Sequence, residues 1–455
     1  MVDLAIVGSG SGNSLLTPFW DDKQVAIAES GIFGGTCLNV GCIPTKMFVR
    51  PAQLARTTEE AARLNVTLPV GIADFQAIRD RIFSRIDPIS AGGRDYRRQA
   101  KNVRLLGHVQ LLDEHTLQTE DGEQIHAQQI VLAAGSRPVL PPIEGIDLPG
   151  VHTSDTIMRI DQPRRLAVIG AGFIACEFAS IFSGLGTEVI QLVRGQRLLK
   201  YLDEEICEAF NEQAGWPVQF GASLERITRE GEELTVHTGA GAFTVDAVLV
   251  ATGRTPNTEF TAPAGLDLDE GRRLKVDEYQ RVLRGGKPVE GLYALGDVSS
   301  EHQLKHAANY QARVVAHNLE HPQKLRPNSQ RAIPAAIFTH PEIAYVGLTE
   351  AEARDAVGEH LTVKTQKFGD TAYGWAMEDS EGLFKVLADR RDGRILGAHV
   401  IGYEAANLIQ PLITAMNLGI DAHRMARGQY WIHPALMEVA ENALLGLDVP
   451  DSGQL

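Results

Sequence analysis

The chain has few of the features on which disulphide scaffolds, membrane spans and nucleic-acid binding depend. Its 455 residues include only four cysteines, and the 43 lysines and arginines are outnumbered by 58 aspartates and glutamates, a formal net charge of −15. So few cysteines exclude a secreted disulphide scaffold, and the negative charge argues against nonspecific nucleic-acid binding. No apolar run reaches the roughly 20 residues that cross a bilayer. A hydrophobic content of 44% is ordinary for a globular protein.

The length is too great for one hydrophobic core and predicts two to four domains. The first residues, MVDLAIVGSG, have no basic start and continue directly into a strand and turn, so we expect no secretory signal. Together with the low cysteine count, this predicts a cytoplasmic protein. In that compartment a disulphide is more commonly catalytic than structural.

A glycine motif begins the chain. DLAIVGSGSGN (Asp3–Asn13) indicates a buried strand, a glycine turn and the start of a helix. Gly8 and Gly10 occupy the first two positions of G-x-G-x-x-G; the first permits a tight turn and the second lets a pyrophosphate approach the backbone. A second strand, QVAIAES, ends at Glu29, about 20 residues on, where a carboxylate can bind ribose hydroxyls. A turn of this kind between strand and helix predicts dinucleotide binding.

The motif then recurs in RLAVIGAGFIACEFA (Arg165–Ala179). Gly170, Gly172 and Ala175 form G-x-G-x-x-A, again between a strand and a helix. Two copies of one pattern predict a duplicated nucleotide-binding unit.

Each copy is followed by a similar apolar strand that ends in glycine. The two segments are IVLAAGSRP, with Gly135, and AVLVATGRTPN, with Gly253. A further strand, GLYALGDV, places Asp297 at its end, where the carboxylate could bind a cofactor hydroxyl. These segments therefore add cofactor-binding candidates to both units.

Two of the four cysteines, Cys37 and Cys42, lie five positions apart among glycines in GGTCLNVGCIPTK. They could be zinc ligands, a structural disulphide or a redox-active dithiol. Zinc is disfavoured because no second C-x2–4-C or clustered histidine pair is nearby. A helix that begins near Cys42 would favour a thiolate through its dipole. The glycine motifs on either side favour the dithiol.

Five features occur in one order over nearly the whole chain: the turn at Gly8, the C-x4-C pair, the turn at Gly170, GD at Gly296–Asp297, and HPALMEVAE near the end. In this combination the chain resembles the pyridine nucleotide–disulphide oxidoreductases, the family of glutathione reductase and dihydrolipoamide dehydrogenase. The resemblance implies an α/β fold with two Rossmann-like dinucleotide-binding domains and a C-terminal α+β dimerisation domain. It also implies FAD on the first unit, a nicotinamide nucleotide on the second, and a homodimer.

The sequence pattern changes near residue 330, and no G-x-G-x-x-G motif follows that point. This change supports a separate last domain. The predicted boundaries are 1–148 and 258–330 for the two parts of the FAD-binding domain, 149–257 for the NADPH-binding domain and 331–455 for the dimerisation domain. Boundaries of this kind carry an uncertainty of several residues.

Roles for the reactive side chains follow from the resemblance. It implies that Cys42 lies against the flavin and that Cys37 faces the substrate, attacks its disulphide and is released by Cys42. His433 and Glu438 are expected to act as an acid–base pair that reaches across the dimer to the partner's Cys37.

Lys46 and Glu177 are expected to form an ion pair near the reactive nitrogen of the flavin. Glutathione reductase typically has two lysines at this point, whereas this chain has Thr45-Lys46. Arg194, Arg197 and Lys200 stand where an NAD-binding protein usually has an acidic residue, so they favour NADPH over NADH.

The residues predicted to contact FAD or NADPH are Gly8, Gly10, Ser11, Gly12, Glu29, Thr36, Lys46, Gly135, Asp297, Gly170, Gly172, Ile174, Arg194, Arg197, Lys200 and Gly253. No metal site is predicted. Phe173, beside the second turn, is a candidate cover for the nicotinamide and equally a packed core residue.

Within the family, GSGSGNS, GGTCLNVGCIPTKMFV, HTSDTIMRI, AYGWAMED and RGQYWIHPAL resemble the branch that reduces mycothione, the disulphide of mycothiol. Four aromatic residues fit a sugar–inositol ligand, and fit a core or dimer interface equally: Tyr373, Trp375, Tyr430 and Trp431. The alternatives are dihydrolipoamide dehydrogenase, another disulphide reductase of the family, or a flavin-binding scaffold or sensor without turnover.

Overall fold

The first glycine turn lies at the carboxyl edge of a mainly parallel eight-stranded sheet. The computed structural model describes residues 1–69, 71–329, 331–451 and 453. The elements up to residue 138 are β1 (Val2–Val7), β2 (Val25–Ala28), α1 (Gly35–Asn39), α2 (Cys42–Ala55), α3 (Thr57–Arg63), α4 (Phe75–Gln99), β3 (Val103–Leu106), β4 (Val109–Asp113), β5 (Thr116–Thr119), β6 (Gln124–Leu132) and β7 (Ser136–Pro138).

A second parallel sheet, of five strands, carries the second glycine turn. Its region contains β8 (Val151–His152), β9 (Arg165–Ile169), α5 (Phe173–Gly184), β10 (Glu188–Val193), α6 (Glu204–Gln213), β11 (Val218–Phe220), β12 (Leu224–Glu230), β13 (Glu233–Thr238), β14 (Gly241–Val245), β15 (Ala247–Val250) and β16 (Arg254–Pro256). The sheet order is β11-β10-β9-β15-β8, and β12, β13 and β14 form a separate antiparallel sheet.

The chain then returns to the first sheet through β17 (Arg281–Arg284), β18 (Lys287–Ala294) and α7 (Lys305–Glu320). The first sheet therefore has the order β17-β18-β6-β1-β2-β3, with β4 and β5 extending from β6. Since β1, β2, β6 and β18 run parallel, their carboxyl ends meet at one edge. The Gly8 turn, Glu29 and Asp297 all follow those ends.

The last region forms an antiparallel sheet of its own, with the order β19-β20-β23-β22-β21. Its elements are β19 (Pro334–Ile337), β20 (Glu342–Gly347), α8 (Glu350–Val357), β21 (Leu361–Lys367), α9 (Ala372–Met377), β22 (Leu383–Asp389), β23 (Ile395–Gly402), α10 (Ala405–Leu408), α11 (Gln410–Leu418), α12 (Ala422–Arg427) and α13 (Glu438–Leu445). Among the described residues, no helix combines the length and hydrophobicity that crossing a membrane requires.

The prediction of an α-helix directly after the first glycine turn is wrong, because the segment Ser11–Leu15 forms a short 3-10 turn. Side chains compete there for backbone carbonyls, because Ser14 Oγ donates to the Ser11 carbonyl at 2.6 Å and Arg97 Nη2 to the Asn13 carbonyl at 3.2 Å. Pro18 follows closely and disfavours helical geometry in the residue before it.

Helices of the first two units share one core. The rings of Phe48 on α2, Phe75 on α4 and Phe182 on α5 pack in a row, with neighbouring centroids 5.4 and 5.6 Å apart. Gly184 on α5 allows close approach, since a Cβ there would lie 3.0 Å from the Cβ of Ala52 on α2. This packing brings α2, which begins at Cys42, against α5, which begins beside the second glycine turn.

Candidate active site

The two cysteines predicted to be redox-active lie side by side at the junction of two helices. Cys37 is in α1, and Cys42 is the first residue of α2. Gly41 makes the junction possible, because a Cβ there would lie 2.9 Å from the Thr36 carbonyl oxygen. Both thiols are free, and they are hydrogen-bonded to each other. Cys42 is exposed and Cys37 is half-buried.

The shared proton makes the two thiols unequal. The hydrogen bond from Cys37 and, after it, the charge of the nearby Lys46 ammonium lower the pKa of Cys42 to about 7. The same hydrogen bond, together with burial, raises the pKa of Cys37. The thiolate is therefore on Cys42, at the N-terminus of a helix, where the backbone dipole also favours negative charge.

Lys46 lies one helical turn after Cys42 and is paired with Glu177 on α5. Its Nζ is 2.7 and 2.8 Å from the two carboxylate oxygens and lies 4.2 Å from the centre of the Phe338 ring. The backbone N–H of Phe338 donates to Glu177 Oε1 at 2.9 Å. Glu177 is almost fully buried. Lys46, Glu177 and Phe338 come from the three regions of the chain, so all three regions contribute to this pair.

His433 and Glu438 also form a pair. His433 Nδ1 lies 2.5 Å from Glu438 Oε1. The imidazole side chain is 71% exposed, whereas the Glu438 side chain is only 15% exposed. Because Nδ1 is held by the carboxylate, Nε2 is left for another partner. Within the described part of the chain, no hydrogen bond or ion pair joins His433 to Cys37.

The backbone around the first glycine turn forms a cradle without side chains. A Cβ at Gly8, where φ is +108°, would lie 2.2 Å from the Ala133 carbonyl oxygen. Gly35 and Gly10 approach backbone to backbone, since a Cβ on Gly35 would lie 2.7 Å from the Gly10 Cα. α1, which contains Cys37, therefore packs directly against the predicted pyrophosphate turn. This close backbone geometry fits the binding of FAD.

The carboxylates expected to bind FAD hydroxyls are both oriented by the protein. Glu29 Oε2 accepts hydrogen bonds from the backbone N–H and Oγ of Ser9, and its Oε1 from the Gly31 N–H. Asp297 Oδ2 accepts from Ser136 Oγ at 2.7 Å. Among the described residues no hydrogen bond reaches Asp297 Oδ1, so that oxygen can accept from a cofactor hydroxyl. Ser11 Oγ accepts from Lys305 Nζ at 2.9 Å.

The second glycine turn repeats the geometry of the first. A Cβ at Gly170, where φ is +137°, would lie 2.3 Å from the Ala251 carbonyl oxygen. A Cβ at Gly172 would meet nothing within 4 Å, although this residue caps α5. The fold does not need a glycine there, whereas a phosphate at the helix N-terminus does. The turn therefore fits a nicotinamide nucleotide, and the adjacent Phe173 is partly exposed.

The three basic residues assigned to NADPH are all exposed, after β10. Arg197 forms an ion pair with Glu204 and lies 3.9 Å from Glu208. Its charge is thus shared with acidic side chains of α6, which lie outside the basic cluster in the sequence. Among the described residues, Arg194 and Lys200 have no ion pair.

The remaining candidates occupy varied surroundings. Thr36 is exposed, Ile174 is half-buried, and Gly12 packs tightly, since a Cβ there would lie 2.7 Å from Ile6. Gly135 and Gly253 both have positive φ. Of the aromatic residues, Trp375, Tyr373 and Tyr430 are exposed, whereas the indole of Trp431 donates to the Ala426 carbonyl.

Comparison with known proteins defines the class. The sequence profile described as pyridine nucleotide-disulphide oxidoreductase matches residues 2–312, and that of the dimerisation domain of the same family matches residues 333–444. The chain belongs to the pyridine nucleotide-disulphide oxidoreductases. It is 48% identical to mycothione reductase of Mycobacterium tuberculosis, over 98% of this chain and 99% of that protein.

More distant relatives agree. A glutathione reductase of Burkholderia cepacia is 32% identical over 96% of this chain and 97% of its own length. Among solved structures, the HOCl-induced flavoprotein disulfide reductase RclA of Escherichia coli superposes with a TM-score of 0.84 at 26% identity, covering 98% of this chain and 99% of that one. The predicted family, α/β fold class and oxidoreductase activity are confirmed, and FAD and NADPH are cofactors of this family.

Proposed function

We propose that the chain is an FAD enzyme that uses NADPH to reduce mycothione to two molecules of mycothiol. The observation that carries the substrate is the 48% identity to mycothione reductase along the full length of both chains. The thiol pair, the Lys46–Glu177 ion pair and the His433–Glu438 pair supply the groups that disulphide reduction needs.

We assign FAD to residues 1–148 and 258–330, NADPH to residues 149–257 and dimerisation to residues 331–455, in the cytoplasm. The turn at Gly8, together with Glu29 and Asp297, would hold FAD, which would supply the two-electron chemistry that connects NADPH with the Cys37–Cys42 disulphide. Lys46 lies beside Cys42 and favours negative charge there. The overall exchange is NADPH, one proton and mycothione in, with NADP⁺ and two thiols out.

Attack on the substrate is assigned to Cys37, as the family resemblance implies, and Cys42, the more acidic thiol of the pair, is assigned to the resolving step. His433 removes the proton from Cys37, and the resulting thiolate attacks one sulfur of mycothione. The sulfur–sulfur bond of the substrate breaks, and the first mycothiol leaves with the proton from His433. Cys42 then attacks the Cys37 sulfur of the mixed disulphide, the bond from Cys37 to the second mycothiol breaks, and the departing thiolate takes up the one proton of the overall exchange. Glu438 holds the imidazole throughout.

A second subunit is part of this proposal. His433 is mostly exposed in the chain and is not joined to Cys37, and Tyr430 and Ile432 beside it are exposed as well. A dimerisation domain and an exposed apolar segment support a homodimer in which His433 of one subunit serves Cys37 of the other.

The test is NADPH oxidation by the purified protein with mycothione, glutathione disulphide or lipoamide in parallel, and with NADH in place of NADPH. We expect turnover with mycothione and NADPH. Equal efficiency with NADH would contradict the assignment of Arg194, Arg197 and Lys200 to NADPH. Preference for lipoamide with NAD would favour dihydrolipoamide dehydrogenase.

Substitution of the thiols tests the chemistry itself. Cys42→Ser should abolish turnover with every disulphide, because the mixed disulphide cannot be resolved. The matched control is Cys207→Ala, whose buried thiol on α6 lies away from the pair and donates to the Leu198 carbonyl. Retained turnover in Cys42→Ser would rule out the dithiol step.

A further inference from the structure

A buried serine links the two nucleotide-binding units through Asp297. Ser136 is the first residue of β7 and is 6% exposed. Its Oγ lies 2.7 Å from Asp297 Oδ2 and 2.9 Å from Arg254 Nε. Arg254 begins β16, which pairs with β7. A cation from one unit therefore reaches a carboxylate of the other through one hydroxyl.

The direction of these hydrogen bonds is determined by chemistry. A guanidinium can only donate, so Arg254 occupies a lone pair of the Ser136 oxygen. The single hydroxyl proton is then free to point at Asp297, whose ionised carboxylate can only accept. Bonds aligned in this way strengthen one another, and those to charged groups are the stronger ones.

Arg254 is itself firmly held. Its side chain is 9% exposed. Nη2 donates to the Ser136 carbonyl at 2.7 Å, and Nη1 lies 3.4 Å from Ser154 Oγ and 3.6 Å from Asp155 Oδ1. The guanidinium thus donates hydrogen bonds to both the side-chain hydroxyl and the backbone carbonyl of Ser136. Rotation of the Ser136 hydroxyl away from Asp297 would leave Arg254 with poorer geometry.

We propose that Ser136 and Arg254 are positioning residues of the FAD site, which orient Asp297 so that its Oδ1 stays available to a hydroxyl of the cofactor. The inference rests on the proposed function, in which Asp297 binds FAD. Ser136 uses one oxygen of the carboxylate, and the other has no hydrogen bond from the described residues. Without the serine, either oxygen could rotate toward solvent.

The experiment measures the rate of FAD release from holoenzyme, by the fluorescence of freed FAD, and the midpoint potential of the bound flavin. The variants are Ser136→Ala, Arg254→Gln, their combination, and Asp297→Asn. Arg137→Gln is the matched control, because Arg137 neighbours Ser136 on β7 but bonds to Asn257 and Glu259. Unfolding midpoints are recorded for each variant.

Loss of a hydrogen bond to a charged group predicts about tenfold faster FAD release in Ser136→Ala and Arg254→Gln. The combination should release FAD no faster than the more affected single variant, and the potential should shift in the same variants. Arg137→Gln should behave as wild type in both measurements.

Two contrary outcomes differ in meaning. If Asp297→Asn releases FAD faster while Ser136→Ala and Arg254→Gln match Arg137→Gln, the positioning role is overturned and the FAD site stands. If Asp297→Asn itself releases FAD at the wild-type rate, the assignment of Asp297 to FAD is wrong, and the positioning role is lost with it. If the effects of Ser136→Ala and Arg254→Gln on the FAD release rate add fully in the combined variant, the two residues act independently. That result would overturn the proposal that Arg254 acts through Ser136.

Discussion

The hydrogen bond from Cys37 and the charge of Lys46 lower the pKa of Cys42 to about 7. The ordinary pKa of a cysteine is about 8.5. A lowered pKa means that the folded, reduced protein is stabilised by the thiolate. That stabilisation is complete above the ordinary pKa and is lost as pH falls through about 7.

We therefore expect the reduced protein to release one proton from the thiol pair with a midpoint near pH 7, because Cys37 and Cys42 titrate as a coupled pair. The measurement is the ultraviolet absorbance of thiolate against pH. Lys46→Met should raise the midpoint, since it removes a neighbouring positive charge. An unchanged midpoint in Lys46→Met, or a thiolate signal near pH 7 that survives in Cys42→Ser, would contradict this account.

His433 is expected to act only in the half-reaction with the disulphide. His433→Gln should slow mycothione reduction about 10²- to 10⁴-fold, the usual contribution of a general acid–base. Reduction of the bound flavin by NADPH, followed by rapid mixing, should keep its wild-type rate. Glu438→Gln should slow the same step less, because it weakens only the hold on Nδ1. Slowing of flavin reduction in either variant would show that the pair acts elsewhere.

Single residues also show where sequence reasoning ends. Cys37, Cys42, Lys46 and Glu177 could be named because each belongs to a short motif. Phe338 could not, since its contact with Glu177 is made by a backbone N–H from 161 positions along the chain. No local spacing records such a contact.

The two glycine turns are the elements that the sequence predicts best, because positive φ and close backbone approach both require glycine. The structure separates two requirements within one turn. Gly170 is needed by the fold, whereas Gly172 has open space around it. Glycine is therefore required for different reasons at two nearby positions of the same motif: by the backbone at Gly170 and by the nucleotide at Gly172.

This difference gives a paired prediction. Gly170→Ala should destabilise the protein by at least about 1–3 kcal/mol, through backbone strain and the clash with the Ala251 carbonyl. Gly172→Ala should change the free energy of unfolding by less than about 0.5 kcal/mol yet weaken NADPH binding. Urea unfolding and titration with NADP⁺ measure the two effects. Equal destabilisation by both substitutions would refute the distinction.

Elements shaped by side-chain competition were predicted less well. The segment after Gly10 has the pattern of a helix start, but hydrogen bonds from Ser14 and Arg97 and the nearby Pro18 leave only a 3-10 turn. Arg97 lies 84 positions from its partner, so the outcome depends on tertiary packing.

At the scale of the whole molecule, the proposed function requires two chains for each active site. Mixing Cys37→Ser chains with His433→Gln chains tests this. Random re-association gives half mixed dimers, each with one complete site, so activity should recover to about a quarter of wild type. Each variant alone should be nearly inactive, and the recovered activity should fall on dilution. No recovery after confirmed exchange of subunits would show that the site lies within one chain.

The contact between Phe338 and Glu177 connects the last region to the Lys46–Glu177 ion pair. A shortened chain that stopped before β19 would keep both glycine turns and both cysteines. It would also leave a buried carboxylate with one hydrogen-bond donor fewer and its lysine without the ring beside it. In the proposed enzyme, the region that matches the dimerisation domain therefore also supports the ion pair beside Cys42, and its removal to obtain a minimal monomeric reductase would alter the charge balance around Glu177.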